Sequence, residues 1–78
     1  MLNQHMTIDH FNPALYRSNL LAALKRDLQR AKNYLRLCVT SIQEAAADED
    51  DETVQMWANQ QDVVLQEIES IKQQLKQF

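Results

Sequence analysis

The chain has 78 residues, a formal net charge of −3, no glycine and a single proline, Pro13. So short a chain forms one domain at most, and it buries a smaller share of its surface than a larger domain does. The missing glycines exclude the dinucleotide fingerprint and the P-loop, which need backbone approaches that only glycine permits. They also remove the residue that tight turns and bulges ordinarily use, so helix almost throughout is predicted.

The lone Cys38 closes no intrachain disulfide. No apolar run approaches the roughly 20 residues of a membrane span, so a soluble, cytoplasmic protein in a reducing compartment is expected. Met1 to Met6 lacks the positive region and apolar stretch of a secretory signal, and Met6 is an alternative start. Residues 1–12 have no helical period, and besides the methionines Leu2, Ile8 and Phe11 are their apolar anchors. They are expected to form a flexible or partly ordered arm that folds onto the open end of a single hairpin domain spanning 13–78.

Phe11-Asn12-Pro13-Ala14 reads as a helix start. Asn12 suits the cap, Pro13 suits the first helical position, and Phe11 is placed to pack on Tyr16. A first helix is predicted from about 13 to 47. Asp48-Glu49-Asp50-Asp51-Glu52 then sets five acids in succession, whose mutual repulsion ends the helix and makes a turn at about 48–52. The same acids sit at the amino end of a second helix, predicted from about 53 to 78, where Asp50 or Asp51 caps it and the positive end of the dipole favours carboxylates.

Leu21, Leu24, Leu28, Ala31, Leu35, Cys38, Ile42 and Ala45 follow one another at alternating steps of three and four, which is a heptad seam. Val54, Trp57, Gln61, Val64, Ile68, Ile71, Leu75 and Phe78 repeat the pattern with Gln61 as the polar exception. Folding at the acidic turn sets Ala45 against Val54 and so on to Leu21 against Phe78, each layer an a position facing a d position. The fold class predicted is therefore all-α: an antiparallel two-helix hairpin, a coiled coil, assembling into a four-helix bundle by dimerisation or with a partner. One continuous coiled coil is the structural alternative.

Charge agrees with the folding back. Six basic residues and one acid lie between Arg17 and Arg36, whereas Glu44 to Glu69 holds nine acids and no base. Arg30 with Glu69 and Lys32 with Glu67 are the expected cross-helix pairs, and Lys25 falls beside Lys72.

Several apolar residues are not used by the seam. Leu20, Ala23, Tyr34 and Leu37 on the first helix and Met56 and Val63 on the second occupy c and g positions, which fall on one broad side of an antiparallel pair. Large apolar groups exposed together mark an interaction surface. Two uses of that side are open: dimerisation into a homodimeric four-helix bundle, or docking of a different protein, such as an amphipathic helix laid into the groove. Val39, Leu65, Ala46 and Ala58 make a smaller strip on the opposite side that widens the seam.

Catalytic and metal chemistry find little to use. His5 and His10 are not at the i, i+4 spacing a helix offers, and no cysteine lies near them. Cys38, in the seam, reads as a small buried filler, and the acidic turn lacks the ligand alternation and glycine of a calcium loop. No catalysis, cofactor, metal, membrane or small-molecule substrate is expected. Lys25, Arg26, Arg30, Lys32 and Arg36 form a basic stripe, so a nucleic-acid-associated regulator is the alternative reading; an acidic inhibitor that mimics nucleic acid is a third. In size and shape the chain is similar to small helical-hairpin co-chaperones of bacterial secretion systems and to small bundle-forming regulators. That architectural likeness implies an adaptor, chaperone or regulator working through protein binding.

Overall fold

The computed structural model describes residues 12–78. Two helices, α1 (Pro13–Ala47) and α2 (Asp51–Leu75), fold back on each other as a hairpin. All of the arm but Asn12, with its histidines and the Phe11 packing on Tyr16, lies outside the described residues. The molecule measures 65 × 27 × 14 Å, so it is a slab one helix thick.

α1 starts where its residue types say it should. The Asn12 side chain accepts hydrogen bonds from the backbone N–H of Ala14 at 3.0 Å and of Leu15 at 3.2 Å, satisfying two of the amides a helix start leaves free. Pro13, which has no amide to satisfy, takes the first helical position. No glycine or proline interrupts the helix, which runs 35 residues.

It ends in a Schellman closure. The amide of Glu49 donates to the carbonyl of Ala46 at 3.1 Å, and that of Asp50 donates to the carbonyl of Ala45 at 2.9 Å. Glu49 takes the left-handed conformation (φ 58°) that this closure requires and that glycine usually supplies. Asp50 then caps α2: its carboxylate accepts from the Thr53 amide at 3.2 Å and from the Thr53 hydroxyl at 2.6 Å. The turn is therefore tighter than the acidic run suggests. Asp51 and Glu52 belong to the first turn of α2, two residues before the expected start, because the cap falls on the first available aspartate after the closure. At the other end α2 stops at Leu75 rather than Phe78, and the last residues close as a turn in which the amides of Gln77 and Phe78 donate to the carbonyls of Gln74 and Leu75.

The buried positions are those of the two heptad seams. Leu24, Ala31, Cys38 and Ala45 on α1 and Val64, Ile68 and Ile71 on α2 are buried, Cys38 completely, and Leu28, Leu35 and Trp57 pack half-buried on the central cluster of Ala31, Cys38, Val64 and Ile68. α1 contributes the small Ala31 and Cys38 to that cluster and α2 the larger Val64 and Ile68, a mixture of sizes that suits close packing of two helices. Phe78 departs from this pattern. It is 43% exposed and lies beneath the Arg17 guanidinium, 5.4 Å from the ring centroid.

The expected cross-helix pairs do not form. Among the described residues the ion pair present is Arg30 with Asp27 at 3.9 Å, one turn away on the same helix. Heptad position explains the difference: Arg30 occupies c and Lys32 occupies e on opposite flanks of α1, while Glu69 at b and Glu67 at g lie across the seam from each of them.

Candidate protein-docking flank

The seam sets the site by exclusion. With a and d positions turned inward, the g and c positions of both helices line one flank, and four of the six residues expected there belong to the half of the hairpin nearer the turn. Leu20, Tyr34, Leu37, Met56 and Val63 are 38–59% exposed, and Ala23 is half-buried. Tyr34 bridges the helices: its hydroxyl donates to Gln60 Oε1 at 3.5 Å, and its ring lies 6.4 Å from that of Trp57 at a 51° tilt. Such a tilted pair is favourable for aromatic rings and holds the Tyr34 ring on the flank instead of letting it swing free.

The flank is not uniform. Tyr34, Leu37, Met56 and Val63 gather nearer the turn, whereas Leu20 and Ala23 lie toward the open end. Asp27 and Arg30, paired on α1, stand between the two groups. Leu20 also lines a cleft of about 240 Å³ at the open end with Arg17, Leu24, Gln74, Gln77 and Phe78. That cleft was not visible in the sequence, because Phe78 reads there as one more seam layer. The signal that exposes it is the length of α1, which carries Arg17 past the last paired layer.

The opposite flank is also partly apolar. Val39 and Leu65 are exposed there, but Lys25, Lys32 and Lys72 occupy the same row and keep it charged toward the open end.

The basic residues Lys25, Arg26, Arg30, Lys32 and Arg36 are all exposed and cover the outward half of α1, with Arg30 tied to Asp27. At the turn, the two hydrogen bonds from Thr53 hold the Asp50 carboxyl below its ordinary value of 3.8, because they stabilise its ionised form. His5, His10 and Asp9 lie outside the described residues. No helix among the described residues is long and apolar enough to cross a membrane.

No protein-family model, no curated protein and no solved structure matches the chain. The chemistry of the flank therefore carries the functional reading alone.

Proposed function

We propose that this chain is a non-enzymatic protein–protein interaction module of the adaptor, co-chaperone or regulator class, which docks a helical surface on the flank formed by Leu20, Ala23, Tyr34, Leu37, Met56 and Val63. In this reading the hairpin is a two-stranded antiparallel coiled coil that supplies half of a four-helix bundle. The supporting observation is the disposition of apolar side chains. The seam already uses its a and d residues, yet five further large apolar groups remain 38–59% exposed on one side of the slab. A helix that only needs to pack against one neighbour carries one apolar stripe, whereas α1 carries two. Removing such a patch from water on binding is worth roughly 25 cal/mol per Å² of apolar area before the costs of association.

A photo-reactive side chain placed at Leu37 or Val63 tests this, with the outward positions Asn33 and Gln66 as controls. In extracts of the source cell, the flank positions are expected to cross-link to protein and the outward positions much less. Equal or absent cross-linking from all four positions contradicts the reading.

A further inference from the structure

We infer that the occupant of this flank is a second copy of the same chain, packed with its turn at the opposite end, so that α1 runs antiparallel against α1 of the second copy. The inference rests on the interaction-module reading above and adds the partner and its register.

Leu20, Ala23, Asp27, Arg30, Tyr34 and Leu37 follow one another at alternating steps of three and four. They form a second heptad row on α1, beside the buried one and left without a facing helix. Read from either end, the row has the same order: two apolar residues, two charges, two apolar residues. Only the central signs exchange. A two-fold axis passing between Asp27 and Arg30 therefore sets Leu20 against Leu37 of the second copy, Ala23 against its Tyr34, and Asp27 against its Arg30, each contact occurring twice. The small Ala23 meets the large Tyr34, as small and larger residues mix in the hairpin's own core.

The central charges lie where such an axis needs them. Asp27 and Arg30 are 3.9 Å apart within one chain, with side chains 50% and 75% exposed, and two copies would interleave them as four charges of alternating sign. Like-charge contact at that point is costly, so the pair fixes direction as well as register.

Charge along the slab chooses the same direction. Arg17, Lys25, Arg26, Lys72 and Lys76 lie in the half away from the turn, with Arg30, Lys32 and Arg36 along the middle of α1, while Glu44, Asp48, Glu49, Asp50, Asp51 and Glu52 crowd the turn end. Copies packed with their turns together would bring these acids into one cluster. Reversed copies direct each acidic turn toward the other's basic end. The broad face of a 65 × 27 Å slab is also large enough for the roughly 800 Å² per partner that a stable interface buries.

Sedimentation of the full chain at up to roughly 100 µM measures the association, and paired variants fix its geometry. Arg30→Glu is expected to weaken self-association about tenfold or more, and the exchange Asp27→Arg with Arg30→Asp to restore it to within about threefold. In a Cys38→Ala background, an equimolar mixture of Leu20→Cys and Leu37→Cys chains is expected to give a mixed disulfide dimer under mild oxidation, since facing positions come within bonding reach and the same position on two copies does not. Dimers of either variant alone, a dimer that forms no mixed disulfide, or an exchange variant as weak as Arg30→Glu would overturn the inference. A wild-type chain that stays single while Leu37 cross-links to a foreign protein would overturn it and leave the module reading standing. Absence of any flank-specific cross-link would remove both.

Discussion

Glu49 holds a left-handed backbone (φ 58°) in a position where a side chain clashes with its own carbonyl, at a cost on the order of 1–2 kcal/mol for an ordinary residue. The chain tolerates it because the closure satisfies carbonyls at the end of α1 and aims the next residue, Asp50, at the amides of α2. Glycine would remove the clash but adds freedom to the unfolded chain, which offsets part of the gain. Glu49→Gly is accordingly expected to stabilise the hairpin by roughly 0.5–1 kcal/mol, raising the midpoint of thermal unfolding by a few degrees in circular dichroism at fixed concentration. An unchanged or lower midpoint would mean that the glutamate makes a compensating contact. A sequence without glycine gives no direct sign of this conformation; what it offers is the acidic run, which marks the turn without saying which acid adopts it.

At the scale of the elements, α2 begins because Asp50 accepts two hydrogen bonds from Thr53, and those bonds hold its carboxyl below 3.8. With the folded value depressed, the stabilisation from ionised Asp50 is fully present above pH 3.8 and is lost as pH falls through the lower folded value. Asparagine caps helices about as well but does not titrate there. Asp50→Asn is thus expected to match the wild type near neutrality and to lose less stability on acidification below pH 3.8, as followed by urea unfolding at a series of pH values; parallel pH profiles would exclude the proposed titration. The helices and their folding back were legible in the sequence because the seams repeat without a gap and meet at one turn of fixed length. Side-chain pairing across them was not. Arg30 and Glu69, or Lys32 and Glu67, look adjacent when helices are drawn as lines, but they occupy opposite flanks once heptad position is respected. Phe78 failed for a different reason: seam spacing continues past the point where α2 still has a helix to complete, so the pattern outlasts the structure that would use it.

For the whole molecule, a slab one helix thick has two broad faces, and burying one stripe per helix leaves the second stripe of α1 uncovered. The exposure of Leu20, Tyr34, Leu37, Met56 and Val63 was legible from their c and g positions, yet their division by Asp27 and Arg30, and the bridge from Tyr34 to Gln60, depend on side-chain placement that spacing does not give. The charge layout belongs to this scale as well. The hairpin gathers Glu44, Asp48, Glu49, Asp50, Asp51 and Glu52 at one end of a 65 Å body and sets Arg17, Lys72 and Lys76 toward the other. The proposed pairing with a reversed copy keeps these acidic turns apart. The most direct measurement compares the sedimentation of the wild type with that of a Leu37→Lys, Val63→Lys double variant over a concentration series, with helicity recorded on the same samples. The expected result is a wild type that moves toward twice the chain mass as concentration rises and a variant that stays single while remaining helical. A variant that assembles as the wild type does, or a fully helical wild type that stays single throughout, would contradict it.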